Sequence, residues 1–289
     1  MKVDVGDVRL FFDVDGAKVV PTDAGPVDRP TVVLLHAGPG ADHSHFKDTI
    51  GPAVARIAQV VYVDQRGDGR SDRSHPSRWN LDTWSDDLRR FLDELEIERP
   101  VLLGTSVGAL VALRLASRHP DRPASLVLAS AVARYVPARS IAAFDRLGGA
   151  EAGEVAARYF GDPNDSTFAE YLRVCLPLYT RRPLDPEVIA RMEMNTAATQ
   201  HWDRHETQHV DLRGEVGAIR CPVLLLAGED DPSFALAGVE ELAEALPQAL
   251  VDFRRYPDAG HGVFRDAPHA VDDVLEFVER TGRGDGAEE

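Results

Sequence analysis

The sequence predicts an α/β fold, in which a mostly parallel sheet is flanked by helices on both faces. Short apolar runs, such as Val32–Leu35 and Val223–Ala227, alternate with longer amphipathic stretches along most of the chain. The runs have the length of strands and end in polar or glycine-rich residues, which is typical of strands buried under helices on both sides. A chain of 289 residues is also long enough to bury a large core.

The elements of the first half follow from this alternation. Arg9–Val14 and Ala17–Val20, on either side of Asp15-Gly16, are predicted to open the fold as an antiparallel hairpin. Strands and helices then alternate. In chain order we predict strand Thr31–His36, helix Phe46–Ala58, strand Val60–Asp64, helix Leu81–Leu95, strand Pro100–Thr105, helix Val107–Arg118 and strand Ser125–Ser130.

The alternation lapses between Ala133 and Gly214, where the chain is helical in character and repeatedly broken by glycine and proline. We interpret this part as a helical cap inserted into the core. The strand pattern then resumes with Cys221–Ala227 and Val251–Tyr256, accompanied by helices near Leu236–Leu246 and Pro268–Arg280. The predicted domains are a core at residues 1–132 and 215–281, a cap at 133–214, and a polar, disordered tail at 282–289.

Composition excludes several classes of partner. Lys and Arg number 32 and Asp and Glu number 48, which leaves a net charge of −16. Nucleic acid and anionic membranes are therefore poor partners. The apolar runs are too short to span a bilayer, and the acidic start Met1–Asp7 does not resemble a secretory signal, so we expect a cytoplasmic protein. The two cysteines, Cys175 and Cys221, are far apart and are expected to be small buried hydrophobes.

The sharpest local motif is Gly104-Thr105-Ser106-Val107-Gly108, which directly follows a predicted strand and opens a predicted helix. A serine on such a tight turn has a strained backbone, and the chain packs so closely around it that glycine is favoured two positions away on each side. The alternative is a small-residue turn that only packs helix against strand. The flanking elements favour Ser106 as a nucleophile.

A glycine-rich segment, His36-Ala37-Gly38-Pro39-Gly40, ends an earlier strand. Its Gly38 N–H, together with the N–H of Val107 at the helix start, would form a two-donor oxyanion hole. An ordinary loop or a phosphate-binding loop is the alternative, but the chain has neither of the usual glycine-rich phosphate motifs.

A serine nucleophile needs a base and an acid that orients the base. Gly260-His261-Gly262 follows the last predicted strand and its turn, so His261 is the candidate base. Gly228-Glu229-Asp230-Asp231 follows the strand before it and offers several carboxylates for the orienting role.

Together these motifs resemble the α/β-hydrolase superfamily, and within it the group related to proline iminopeptidase. The resemblance covers nearly the whole chain except the cap. It also rests on Asp64–Asp72, which is close to the group's D-Q-R-G-x-G-R-S. It implies a Ser-His-Asp catalytic triad with Asp231 as the acid and Asp230 as the fallback, a cis Gly38-Pro39 bond, and a structural Asp64–Asp72 loop whose Arg66 and Arg70 brace the floor of the active site.

The chain departs from that group at the elbow, where Thr105 precedes and Val107 follows Ser106. The group also binds the substrate's α-amino group with cap carboxylates, for which Glu193 and Glu206 are candidates here. We therefore predict a serine hydrolase, without metal or organic cofactor, that cleaves an ester, lactone or amide of a small molecule or short peptide. The alternatives are a proline iminopeptidase-type aminopeptidase, a triad-retaining acyltransferase or lyase, and a non-catalytic ligand receptor; the oligomeric state is left open.

His205-Glu206-Thr207-Gln208-His209 has the pattern of a helical zinc site. Because no third ligand is indicated and a complete catalytic set exists elsewhere, we interpret it as a polar helix face, with Trp202 turned to the substrate pocket or the cap core. Trp202 is the candidate substrate-binding residue. The other cap aromatics, which either line a pocket or form the cap core, are Phe144, Tyr159, Phe160, Tyr171 and Tyr179.

Overall fold

The computed structural model describes residues 1–282, so the predicted tail lies outside the described residues except for Gly282. Most strands join one sheet, and two form a separate ribbon. In chain order the strands are β1 Lys2–Asp4, β2 Arg9–Asp15, β3 Val19–Thr22, β4 Gly25–Asp28, β5 Thr31–Leu35, β6 Gln59–Val63, β7 Val101–Thr105, β8 Ser125–Ala129, β9 Val223–Gly228 and β10 Val251–Tyr256.

The main sheet has the strand order β1-β2-β6-β5-β7-β8-β9-β10. Strands β5 to β10 are parallel, whereas β1 and β2 join antiparallel at one edge. The helices are α1 Gly51–Val54, α2 Leu81–Glu94, α3 Val107–Arg118, α4 Pro137–Gly161, α5 Asp165–Val174, α6 Pro186–Arg191, α7 Thr196–His205, α8 Leu236–Ala245, α9 Val263–Asp266 and α10 Ala270–Thr281.

Helices cover both faces of the sheet, which confirms the predicted fold class. Successive residues of a strand point to opposite faces, and the core divides accordingly. Val33 and Leu35 of β5 belong to an apolar cluster that includes residues of α2, α3 and α8, whereas Val32 and Leu34 belong to a second cluster that includes residues of α10. None of the helices in residues 1–282 combines the length and apolar character needed to cross a membrane.

The predictions for the centre of the fold are confirmed to within a residue or two. Strand β10 and helix α3 have the predicted bounds, and α2 begins at Leu81 as predicted. Asn80 sets that start, because its side chain accepts a hydrogen bond from the N–H of Thr83 and so caps the helix.

The prediction of an opening hairpin is wrong. β2 pairs with β1 through residues 9–11 and with β6 through residues 12–15, so its partners are strands other than the one that follows Asp15-Gly16. β3 instead pairs with β4 across a turn at Asp23 and Ala24. At Gly16, which has a φ of 73°, the backbone packs against the carbonyl oxygens of Ala55 and Ala58.

The predicted helix Phe46–Ala58 is also wrong. A 3₁₀ turn at His43–Asp48 comes first, and only the short α1 follows. Pro52 lacks an N–H and therefore starts a new helix better than it continues one. At Gly51 the chain passes so close to the Phe46 carbonyl that a Cβ would lie 2.7 Å from its oxygen.

Helices α4 to α7 lie between β8 and β9 in the chain. Arg134 and Asp211 form an isolated antiparallel bridge where this segment leaves and rejoins the rest of the fold. A third apolar cluster, with Phe144, Tyr159 and Tyr171 at its centre, packs within the segment.

Candidate active site

The candidate residues follow neighbouring parallel strands. Ser106 comes directly after β7, Ser130 after β8, Asp231 three residues after β9, and His261 five residues after β10. Because β7, β8, β9 and β10 are adjacent and parallel, their carboxyl ends meet at one edge of the sheet. The topology therefore gathers these four residues there.

Ser106 occupies a strained turn between β7 and α3. Its φ of 53° and ψ of −123° lie in a region that residues with a side chain rarely adopt. The turn also forces close packing: a Cβ at Gly104 would lie 2.6 Å from the Ala109 backbone, and one at Gly108 would overlap the Leu35 carbonyl. These contacts give the physical reason for glycine on both sides of the serine.

His261 and Asp231 form a hydrogen-bonded pair, with 2.8 Å between Nδ1 and Oδ2. The Asp231 side chain is buried, and its Oδ1 accepts hydrogen bonds from the N–H groups of Ser233, at 2.8 Å, and Phe234, at 2.9 Å. The carboxylate is thus oriented from both sides. Within residues 1–282 no hydrogen bond joins the Ser106 hydroxyl to the His261 ring; such bonds often form only when substrate is present.

Asp230, the fallback acid, points elsewhere. Its carboxylate pairs with Arg146, at 2.7 Å, and with Arg181, both of which belong to the helical segment between β8 and β9. The geometry therefore separates the neighbouring carboxylates and places Asp231, as the resemblance implied, beside His261.

The loop that carries His261 is held by groups that the sequence did not indicate. The His261 N–H donates to the Tyr179 carbonyl at 2.6 Å, and the Ser130 hydroxyl donates to the His261 carbonyl at 3.0 Å. The Tyr179 and Phe234 rings contact the imidazole edge to face, with centroids 5.3 and 5.6 Å away.

Asp266 joins this loop to the helical segment. Its carboxylate accepts hydrogen bonds from the backbone N–H groups of Gly260, Arg181 and Arg182, at 2.9 to 3.1 Å. Nothing in the local sequence distinguishes Asp266 from the other acidic residues near the C-terminus, because two of its three partners lie 84 and 85 residues away.

The side chain of His36, two residues before Gly38, orients the Gly38 N–H. His36 Nδ1 lies 2.8 Å from the Ala37 carbonyl, and Nε2 accepts from the Gln65 N–H at 3.1 Å, so the proton is on Nδ1. Burial lowers the pKa of His36 and keeps the ring neutral. In a trans peptide the N–H points opposite to the C=O, so the bond to Ala37 also sets the direction of the Gly38 N–H. The Gly38-Pro39 bond is cis, as the resemblance implied.

Val107, the other predicted oxyanion donor, is the first residue of α3, where helix geometry leaves N–H groups free for other partners. The Asp64–Asp72 loop is well anchored beneath this region. Arg66 is fully buried between Asp87 and Asp7, with its nearest contact to each at 2.6 Å, and Arg70 reaches Asp42 at 3.3 Å.

A group of tyrosines lies next to His261 in the helical segment. The hydroxyls of Tyr171 and Tyr179 are 2.6 Å apart, and the Tyr159 hydroxyl donates to Asp203. Burial raises the pKa of Asp203 to about 6, and the Asp203 carboxyl in turn contributes to the raised pKa of Tyr179. Asp203 is thus a carboxyl bonded to this group of tyrosines that the sequence did not single out, whereas Glu193 is exposed and Glu206 directly follows α7.

Trp202, the candidate substrate-binding residue, has the contacts of a core residue. Its ring packs on Trp84 of α2, with centroids 5.3 Å apart, and only 4% of the residue is exposed. The predicted polar helix face over His205–His209 is wrong as well, because α7 ends at His205 and a 3₁₀ turn, Thr207–His209, follows. The two histidines therefore do not share one α-helical face.

Comparison with known proteins connects this geometry to a family. Residues 30–268 match the family described as alpha/beta hydrolase fold. The chain is 30% identical over 273 residues to the "Putative carbamate hydrolase RutD" of Caulobacter sp. (strain K31), with 93% of this chain and 95% of that protein covered. It is 25% identical over 236 residues to the proline iminopeptidase of Lactobacillus helveticus, with 71% and 75% covered.

A solved structure shows the same fold. The crystal structure of proline iminopeptidase from Mycobacterium smegmatis superimposes with a TM-score of 0.75 and 20% identity, and the match covers 98% of each chain.

Proposed function

The chain belongs to the α/β-hydrolase fold family and is a hydrolase, and on that premise we propose that it is a serine hydrolase acting through Ser106, His261 and Asp231. Its substrate is an ester, lactone or amide of a small molecule or short peptide. The observation that carries the proposal is the meeting, at one sheet edge, of a serine on a strained turn and a histidine whose Nδ1 lies 2.8 Å from a buried carboxylate.

The chemistry is acyl transfer to water. His261 Nε2 takes the hydroxyl proton as Ser106 Oγ bonds to the substrate's carbonyl carbon, and the Asp231 carboxylate stabilises the imidazolium that forms. The N–H groups of Gly38 and Val107 bind the negative oxygen of the tetrahedral intermediate. The bond to the leaving group then breaks, and His261 gives its proton to that group.

The second half repeats the sequence with water as the nucleophile. His261 removes a proton from water, the resulting oxygen attacks the acyl-enzyme carbon, and Ser106 leaves with the proton returned by His261. Asp231 keeps the proton on Nδ1 throughout, because its Oδ1 is occupied by Ser233 and Phe234 and its Oδ2 faces the ring.

We also propose that residues 133–214 act as a cap that selects the substrate. The Tyr179 ring contacts the His261 ring from this segment, Tyr171 bonds to Tyr179, and the core supplies Phe234 as a second ring against His261. Aromatic rings beside the reacting centre suit an apolar acyl or leaving group, and the tyrosine hydroxyls suit a substrate with polar atoms.

An aminopeptidase is the second candidate, and Asp203 is the observation that favours it. A carboxyl among tyrosines next to His261 would pair with the free amino group of an aminoacyl amide. The relatedness to the proline iminopeptidase of Lactobacillus helveticus is in keeping with this candidate.

Labelling with a fluorophosphonate tests the nucleophile. We expect the wild-type protein to be labelled and Ser106→Ala not to be, because the probe bonds to an activated serine oxygen. Absence of wild-type labelling, or equal labelling of Ser106→Ala, would rule out the proposed mechanism.

A substrate panel separates the two candidates. It compares prolyl and other aminoacyl arylamides with short acyl esters and lactones, for the wild type and for Asp203→Asn. Activity on esters and lactones alone would rule out the aminopeptidase candidate. A preference for aminoacyl amides, with KM raised at least about tenfold in Asp203→Asn and unchanged for neutral esters, establishes it.

A further inference from the structure

Residues 193–199, which we call the clamp segment, connect α6 to the first turn of α7 and lie on the loop that carries Gly38. We refer to residues 36–42 as the oxyanion loop. Three hydrogen bonds join the two segments, and a fourth, from Asn195, reaches the neighbouring Asp64–Asp72 loop. They run from the Thr199 hydroxyl to the Pro39 carbonyl at 2.8 Å, from the Asn195 N–H to the Gly40 carbonyl at 2.8 Å, from Asn195 Nδ2 to the Gly67 carbonyl at 2.7 Å, and from the Glu193 N–H to the Asp42 carboxylate at 3.0 Å.

The clamp segment and the oxyanion loop lie so close together that no side chain fits between them at Gly40. Gly40 has a φ of 96°, and a Cβ there would overlap the Thr199 hydroxyl and lie 2.8 Å from the Asn195 carbonyl oxygen. On its other side, the Gly40 N–H donates to buried Asp68 at 2.9 Å. Both polar backbone groups of Gly40 are therefore occupied, one by the core and one by the clamp segment.

Two peptide groups near Gly38, the one before it and the one after Pro39, are held by different parts of the chain. The carbonyl of Ala37 bonds to His36, which belongs to the core. The carbonyl of Pro39 bonds to Thr199, which belongs to the clamp segment. Loss of the Thr199 hydroxyl would leave the peptide group after Pro39 held only by the bond from the Gly40 N–H to Asp68. The chain that follows Gly38 would then be held less tightly.

We propose that Thr199 and Asn195 are positioning residues for the oxyanion hole, so that the hole is complete only when the helical segment is docked on the core. The inference rests on the proposed function, since it concerns the same N–H of Gly38. An oxyanion donor must point at the oxygen of the tetrahedral intermediate within tenths of an ångström, and its full loss costs about 100- to 1,000-fold in kcat. Loosening one of two donors should cost part of that.

The test compares Thr199→Val, which keeps the shape but removes the hydroxyl, with Thr199→Ser, which keeps the hydroxyl. Thr196→Val is the matched control, because Thr196 is exposed in the same helix. With an activated acyl ester we expect Thr199→Val to lower kcat by about 10- to 100-fold and to change KM less than about threefold. Thr199→Ser and Thr196→Val should stay within about threefold of the wild type.

A boronic acid that forms a tetrahedral adduct with Ser106 reports on the hole itself. Its inhibition constant should rise in Thr199→Val by the same factor as kcat falls, whereas inhibition by the carboxylate product should not change. Asn195→Ala provides a second variant: it keeps the backbone bond to Gly40 and loses the bond to Gly67. We expect it to lower kcat in the same direction, by a smaller factor.

The outcomes separate this inference from the function on which it rests. If the wild type is labelled by a fluorophosphonate but Thr199→Val keeps its kcat, or if Thr199→Ser is as impaired as Thr199→Val, the positioning role is overturned and the serine mechanism stands. If the wild type is not labelled, the mechanism falls and the role of the clamp segment falls with it. Amide hydrogen exchange of residues 37–42 should be faster in Thr199→Val than in Thr196→Val. Equal exchange in the two variants would show that Thr199 does not hold the oxyanion loop, whatever the labelling result.

Discussion

The proposed nucleophile, Ser106, and the two loops proposed to act with it are held in different ways. Ser106 is positioned by its immediate surroundings: its N–H donates to Ala129 on the next strand at 3.0 Å, and α3 begins at the next residue. The His261 loop and the oxyanion loop depend in addition on the helical segment between β8 and β9. Tyr179 and the backbone of Arg181 hold the first, and the clamp segment holds the second.

This difference teaches where precision comes from in the site. A strained turn next to a sheet needs only local packing, because the sheet and the helix are rigid. Loops at a sheet edge have no such support and take it from the segment that covers them. The helical segment between β8 and β9 therefore supplies hydrogen bonds that hold both loops.

The largest expected effect lies on the nucleophile side. Ser106→Ala and Ser106→Gly should each lower hydrolysis about 10⁴-fold or more, because the attacking oxygen is lost. The glycine variant should also unfold at a higher urea concentration, and its free energy of unfolding should exceed that of the alanine variant by about 1 kcal/mol, because glycine tolerates the φ of 53°. Equal stability of the two variants would show that the turn is not strained.

Next in size is the exchange of the acid. Asp231→Asn should lower kcat about 1,000- to 10,000-fold, because the amide favours the wrong imidazole tautomer. Asp230→Asn is the matched control, and its loss should stay below about fivefold because the ion pairs of Asp230 involve half-exposed arginines. Kinetics of both variants on one ester decide the assignment; a larger loss in Asp230→Asn would reverse it.

Asp266→Asn tests the dependence of the His261 loop on the helical segment. An amide in place of the carboxylate turns an NH₂ group toward backbone N–H donors, so we expect kcat to fall about 10- to 100-fold and the free energy of unfolding to drop by about 2 kcal/mol. Asp272→Asn, at an exposed position in α10, should change neither value. Full activity in Asp266→Asn would mean that the loop does not need this anchor.

The last prediction concerns the pH dependence of stability at Asp203 rather than catalysis. Its pKa is raised from 3.8 to about 6 by burial, so the folded protein holds a proton that the unfolded chain releases. The free energy of unfolding should therefore fall as the pH rises from about 4 to 6. Asp203→Asn has no such titration, so its free energy of unfolding, measured by urea titration, should rise by about 1 to 3 kcal/mol relative to the wild type between pH 4 and pH 8. A constant difference across that range would contradict the assignment.

Much of the fold was predictable from local pattern. β10 and α3 have their predicted bounds, and the glycines around Ser106 identified its turn. The failures share a cause. The predicted hairpin does not form because β2 pairs with β6, which lies more than 40 residues further along the chain, rather than with the strand that follows it. The contact of Trp202 with Trp84 was not predictable either, because the two residues are more than 100 positions apart in the chain.

The sequence by itself determined the α/β class, the turn that carries Ser106, and the strand ends at which His261 and Asp231 occur, because strands, turns and helix starts depend on residues close together in the chain. Only the tertiary structure decided that Asp231 rather than Asp230 faces the histidine, and that Asp266, Asn195 and Thr199 hold the loops. Thr199 and its partner Pro39 are 160 residues apart, and a hydrogen bond over such a separation exists only once the chain has folded.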